Sequence, residues 1–241
     1  MKTINTFIIG NGNLGSHLSE LFESKGVSYT FLRRESINTL QKGDFAWLCV
    51  PDGAIKPLID QLQPLGVNLI YCSGALVLSE SWRDSVGVWY PLYSFKKGFP
   101  IDWGLVPIFI ETRSNTLQHY FKQLHEQLEL KYRELDSLGR RKRHLAAVFV
   151  NNFTNAILSA AEETMHDCSK KEITEALFPI ALQTISRWRE HEARKMQTGP
   201  AVRGDQETLE VHLKELFNLP EERDLYQSLT KYIAQKIQQK D

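Results

Sequence analysis

Cysteine is scarce in this 241-residue sequence. Cys49, Cys72 and Cys168 are odd in number and lack C-x-x-C spacing, so no disulfide framework or zinc–thiolate site is written into the chain. They read as reduced thiols, two of them in expected strands, which suits a cytoplasmic protein. No metal-ligand cluster is visible. No apolar run approaches the ~20 residues of a membrane-spanning helix. Met1-Lys2-Thr3-Ile4-Asn5 runs directly into an apolar strand and leaves no stretch that reads as a leader. Excess charge is missing too. The 29 Lys and Arg balance 29 Asp and Glu, so no global field draws in nucleic acid or an anionic membrane. Repeats and low-complexity segments are absent. What is left is an ordinary globular composition, long enough for one large or two ordinary domains.

The most informative stretch lies near the N-terminus. Phe7-Ile8-Ile9 is a short apolar run of the kind a buried parallel strand uses. Gly10-Asn11-Gly12-Asn13-Leu14-Gly15 follows as G-x-G-x-x-G, and Leu14, Leu18, Leu21 and Phe22 then recur at helical spacing. Strand, glycine turn and helix in that order are the context of a dinucleotide fingerprint. Gly10 makes the tight turn, Gly12 leaves room for a pyrophosphate, and Gly15 lets the helix pack closely on the sheet. The helix N-terminus offers free N–H groups to phosphate.

Val27 to Leu32 reads as the second strand, ending in Arg33-Arg34. An NAD site usually places an acidic residue there for the ribose 2′-hydroxyl. Two arginines suit a 2′-phosphate instead, which favours NADP(H) over NAD(H). The other reading leaves both arginines to solvent and gives an NAD ribose to Glu35. Further strands are expected at Asp44 to Val50, Asn68 to Cys72, Val86 to Tyr90, Val106 to Ile110 and Leu130 to Tyr132. A helix begins near Ala54 with Asp52 as its cap, and another spans Asn115 to Leu128. Cys49, Val50, Pro51, Asp52, Ser73 and Gly74 fall after strands three and four, on the edge where a cofactor lies. Ser73 suits a nicotinamide contact or a helix cap equally. The alternation of strands and helices predicts an α/β domain with a doubly wound parallel sheet over residues 1–135.

From Asp136 the periodicity is helical, so residues 136–241 are expected to form an all-α domain. Ser137 to His166 reads as one long helix. Lys170 to Met196 is helical with a restart or kink at Pro179. Gly199-Pro200 stops it, and helices follow at 207–217 and 221–239.

The order of motifs resembles the clan of pyrroline-5-carboxylate reductase and 6-phosphogluconate dehydrogenase. More closely, it is similar to the NADP oxidoreductases that join a Rossmann domain to a helical domain of unassigned function, relatives of deazaflavin-dependent NADP oxidoreductases. The residues that carry the likeness are GNGNLG at 10–15, CVPDGAI at 49–55, YCSGAL at 71–76, YPLYSF at 90–95, HLAAVFVNNF at 144–153 and TGPAVRGD at 198–205. The family commonly has His before Pro-Leu, where this chain has Tyr90. The resemblance implies a cytoplasmic enzyme of NADP(H), a homodimer through the helical domain, and a small substrate in the interdomain cleft. A deazaflavin stays open as hydride partner.

His144 and Asn152 lie two turns apart on the long helix. A histidine there can donate the proton that accompanies a hydride, and Asn152 can orient the substrate. The resemblance favours Asn152 over Asn151. Tyr90 and Arg203 are candidate substrate contacts. Arg203 either grips an anion or staples internally to Asp205, and Asp205 caps the next helix. Arg140-Arg141-Lys142-Arg143 reads as a solvated first turn. Tyr93 and Lys97 mimic a short-chain dehydrogenase pair but fall in a glycine- and proline-broken loop. The expected activity is hydride transfer to or from a small carbonyl, imine or related compound. The alternative is a non-catalytic NADP(H) sensor or scaffold.

Overall fold

A computed structural model of the chain describes residues 5–82 and 84–238, without the side chains of Arg34 and Gln238. Residues 1–4, which carry the leader reading, lie outside it. The chain groups into two units, residues 1–152 and 153–241.

The first unit is built on a seven-stranded sheet. Its strands are β1 (Thr6–Ile9), β2 (Thr30–Leu32), β3 (Phe45–Leu48), β4 (Asn68–Tyr71), β5 (Val86–Pro91), β6 (Ile108–Thr112) and β7 (Arg133–Glu134), in the order β2-β1-β3-β4-β5-β6-β7. The helices are α1 (Asn13–Ser24), α2 (Asp52–Leu62), α3 (Asn115–Leu128) and α4 (Ser137–Ala147). Both faces of the sheet are covered, which is why its inner strands are apolar throughout rather than alternating. In β3, Ala46 and Leu48 pack toward Ile55, Ile59 and Leu62 of α2. Phe45 and Trp47 point the other way, toward Leu18 and Phe22 of α1 and Phe121 of α3.

Every strand pairing is parallel except one. β5 and β6 run antiparallel, with Tyr90 opposite Phe109. The cause is local. Parallel neighbours need a crossover of a dozen or more residues, usually a helix. Between Pro91 and Ile108 the chain has glycines, prolines and a single 3₁₀ turn at Trp103–Leu105, so it re-enters at the edge it left. The last strand falls at Arg133–Glu134, just beyond the expected Leu130 to Tyr132. α3 has its expected bounds, opened by the Ser114 hydroxyl accepting from Leu117 N.

Strand order reverses between β1 and β3. The chain leaves β1 for β2 on one side and returns to β3 on the other, and ligands bind outside the carboxyl ends of strands at such a point.

The second unit is helical among its described residues: α5 (Thr154–Glu163), α6 (Lys170–Trp188), α7 (Pro200–Arg203), α8 (Gln206–Glu215) and α9 (Pro220–Gln238). Ser169 and Glu172 form a reciprocal capping box that starts α6. α6 runs through Pro179 as one helix rather than restarting there. His212 Nδ1 lies 2.8 Å from the Tyr226 hydroxyl and joins α8 to α9. No described helix is long and apolar enough to cross a membrane.

The core of the first unit holds a titratable group. Trp89 Nε1 donates to His125 Nε2 at 2.9 Å, so the His125 proton sits on Nδ1, 3.1 Å from the Leu130 carbonyl. Burial holds the His125 pKa below its usual 6.5. A depressed histidine contributes stability that is full above the unfolded pKa and is lost as pH falls through the folded one. His125→Leu strands the Trp89 N–H at a cost of about 1–3 kcal/mol. Urea unfolding is expected to show that difference at neutral pH and to show it shrinking as pH drops below 6.5.

Candidate functional site

Two clusters converge on the carboxyl edge of the sheet. The first is the glycine turn. Gly10 adopts φ +102°, and a Cβ on it would lie 2.3 Å from the Cys49 carbonyl oxygen. A Cβ on Gly15 would lie 2.1 Å from the Gly10 carbonyl oxygen. Both neighbours are backbone and cannot swing aside. Gly12 is the opposite case, with nothing within 4 Å of its missing Cβ. That open space stands at the start of α1, where Gly12 is the N-cap, no side chain caps the helix, and the first turn carries no acidic residue. The first N–H groups of α1 and its dipole therefore remain available to an anion.

A groove of about 830 Å³ runs on from Gly10 and Asn11 past Val50 and Pro51 to Arg33 and Glu35. Arg33 and Glu35 are both exposed along it. The side chain of Arg34, the other expected phosphate partner, lies outside the described residues. Leu14 is on α1, and the Asn13 side-chain oxygen accepts from Lys97 N at 3.1 Å. Cys49 meets the turn through its backbone while its side chain packs against the α1-side core with Cys72. These residues fit an extended molecule carrying phosphates and a ribose. Among the described residues no His, Cys, Asp and Glu group is placed to hold a metal.

The second cluster gathers around the ends of β4 and β5. The Tyr90 hydroxyl lies 3.0 Å from His144 Nδ1, with the rings edge to face. Gly74 lies against both, since a Cβ there would come within 2.6 Å of His144 Nδ1 and 2.8 Å of Tyr90 Cζ. Ser73 is buried and its hydroxyl is committed. It donates to Asp52 Oδ2 at 2.8 Å and accepts from Ala75 N and Leu76 N. α2 begins at Asp52, with Pro51 as its N-cap, so Asp52 holds Ser73 rather than capping the helix. Pro51 and Gly53 line the groove on either side of Asp52, and α2's first turn thus joins the two clusters.

Sequence reasoning missed Arg140. Taken as part of a solvated basic run, it is instead 1% exposed. Its guanidinium donates to the Ser73 carbonyl at 3.1 Å, the Leu76 carbonyl and Glu111, and approaches Ser137 Oγ. Arg143 lies over the Phe109 ring, while Arg141 and Lys142 are exposed as expected. Arg140 and His144 are four apart on α4 and share one face. The available signal was Glu111, an acid at the end of an otherwise apolar strand that requires a buried partner.

Asn152 is exposed in a π-helical stretch, Val148–Phe153, between α4 and α5. Eight residues of α-helix would set it roughly 80° around from His144. The under-wound turn reduces that offset, as i→i+5 bonding advances less per residue. Arg203 belongs to the helical unit. It pairs with Asp205 at 3.5 Å, and Asp205 caps α8 by accepting from Thr208 N at 3.1 Å. Arg203 also lines a groove of about 620 Å³ with Tyr226 and Lys231.

A Rossmann sheet with a glycine turn at its switch point, followed by a helical unit, defines a two-part architecture. The chain belongs to the family described as a domain of unknown function, DUF2520, whose model matches residues 106–233. No curated protein sequence matches it. Solved structures share its fold. A Bacteroides fragilis protein named as a candidate NADP oxidoreductase is 24% identical over 96% of this chain and 98% of its own, with a TM-score of 0.82. An Aspergillus terreus reductive aminase in complex with NADPH and ethyl levulinate is 14% identical over 99% and 95%, with a TM-score of 0.61. The pyrroline carboxylate reductase of Plasmodium falciparum, with NADP bound, is 11% identical over 96% and 100%, with a TM-score of 0.55.

Removing Arg140 strands two carbonyls and the half-buried Glu111. Arg140→Met is expected to lower the unfolding free energy by about 3 kcal/mol in urea titrations. Arg140→Lys recovers only part, because an ammonium cannot span the acceptors a planar guanidinium reaches.

Proposed function

We propose that the chain is an NADP(H)-dependent oxidoreductase that transfers hydride to or from a small carbonyl, imine or related substrate. The observation that carries this reading is the bare space at Gly12, at the start of α1, next in sequence to a groove lined by Gly10, Asn11 and Arg33. Gly10 to Gly15 would hold the pyrophosphate on the N-terminus of α1, and Arg33 would pair with the 2′-phosphate. The NADP and NADPH bound to the two solved relatives support the same cofactor. When bound, the nicotinamide supplies or accepts the hydride. This chain supplies the proton from His144, with Asn152 orienting the substrate.

The same reading includes a homodimer through the helical unit. In α6 only Ile173 is buried, while Phe178, Ile180, Leu182, Ile185 and Trp188 are exposed. A helix apolar on more than one face is a buried helix in its working state.

Calorimetric titration tests the cofactor. NADPH is expected to bind more tightly than NADH, and Arg33→Ala to weaken NADPH by about tenfold while leaving NADH unchanged, as loss of a charge-assisted pair implies. Equal loss for both nucleotides would remove Arg33 from the 2′-phosphate, and binding of neither would end the oxidoreductase reading. His144→Ala is expected to abolish NADPH consumption across a carbonyl and imine panel with the NADPH affinity nearly intact. Binding without consumption in the wild type would move the reading to a nucleotide sensor or scaffold.

A further inference from the structure

We infer that Tyr90 sets the proton on His144, so that this histidine meets the substrate as an Nε2–H donor backed by the Tyr90 hydroxyl; the chemical step rests on the oxidoreductase reading above. Tyr90 lies at the carboxyl end of β5 and is 7% exposed. Its hydroxyl has one hydrogen-bond partner among the described residues, His144 Nδ1 at 3.0 Å. The ring planes meet at 74° with centroids 6.1 Å apart. Gly74 makes the arrangement possible, because any side chain there would occupy the space of both rings.

The direction of the bond follows from the two groups. A buried phenol must place its proton on an acceptor. Burial and the nearby Asp52 carboxylate push the Tyr90 pKa up and the Arg140 guanidinium draws it down, leaving it at about 12. Tyr90 is therefore a phenol at neutral pH, and Nδ1 is the atom that accepts. A neutral imidazole that accepts at Nδ1 carries its proton on Nε2. His144 Nε2 has no hydrogen-bond partner among the described residues, and the ring is half-buried. The pair thus presents one donor outward.

This gives Tyr90 a task that a substrate contact would not. As the substrate's C=O double bond is reduced, its oxygen gains an electron pair and takes the proton from Nε2. The Tyr90 proton passes to Nδ1, so the imidazole stays neutral, and the phenolate that remains lies in the field of Arg140. Water then returns a proton to Nε2, and the Nδ1 proton goes back to Tyr90. One N–H and one O–H bond break and re-form, and the net consumption is one proton per hydride. Tyr90 acts through His144 and is a positioning residue, and His144 is the catalytic one.

The test reads the tautomer without any ligand. The full chain is labelled with ¹⁵N-histidine, and long-range ¹H–¹⁵N correlations are recorded, with His144 assigned by the signal lost in His144→Gln. The expected result is a protonated Nε2 and a bare Nδ1 in the wild type. Tyr90→Phe should give the mixture of tautomers of an unconstrained imidazole. In the enzyme assay the same variant should lose roughly 100-fold in kcat, with NADPH affinity unchanged, as removal of an acid–base partner implies. A proton on Nδ1 in the wild type, or an unchanged tautomer in Tyr90→Phe, overturns the inference. Failure of the oxidoreductase reading would show separately, as absent NADPH binding or consumption, and would leave the tautomer result standing on its own.

Discussion

The contact on which the first unit depends is backbone against backbone. β1 and β3 pair in register, Ile9 opposite Leu48, so the chain leaves both strands at one level. Gly10 then turns with its α-carbon against the Cys49 carbonyl, and Gly15 brings α1 down onto Gly10. At these separations a single methyl group has nowhere to go. The approach sets the axis of α1, aims its uncapped N-terminus along the carboxyl edge, and opens the space at Gly12. The open space at Gly12 is therefore a consequence of how closely the helix and sheet pack, and not a loop added to a finished fold.

That dependence explains what was legible in the residues. Gly10, Gly12 and Gly15 carry local constraints at fixed spacing, and the apolar periodicity of α3 lies within its own span, so both could be read from short windows. The reversal at β5–β6 could not. The breakers between Pro91 and Ile108 announced a loop, but the direction of return depends on which edge the chain re-enters. Arg140 was hidden for a related reason. Its partners Ser73, Leu76 and Glu111 are distant in sequence, and its neighbours Arg141 and Lys142 behave as a basic run should. The π turn was equally silent, since intrinsic propensity does not separate α from π winding over VFVNNF.

Arg140 also shows why the chemistry collects where it does. A buried guanidinium paired with a carboxylate is a poor source of net stability, because desolvation offsets most of the attraction. What it contributes is a defined geometry. By fixing the carbonyls of Ser73 and Leu76, it holds the turn on which Gly74 sits, and Gly74 in turn bounds the Tyr90–His144 pair. Ser73 passes the constraint to Asp52, whose neighbours line the groove beside Gly10. One set of contacts thus joins the groove beside Gly10 to the Tyr90–His144 pair.

The helical unit poses the complementary problem. The first unit buries its apolar residues on both faces of a sheet, with Trp47 and Trp89 fully enclosed. In the second, α5 has no buried residue, and α6 leaves Phe178 59% and Ile180 63% exposed. Each large apolar side chain left in water forgoes about 1.5–3 kcal/mol of burial. The capping box at Ser169 and the run of α6 through Pro179 show a helix well specified along its own axis. Its definition is axial and its side-chain burial is confined to Ile173, a combination that a symmetric second copy would resolve by covering the same face on both chains. The proposed dimer is thus the state in which the helical half of this sequence acquires the core that the sheet half already has.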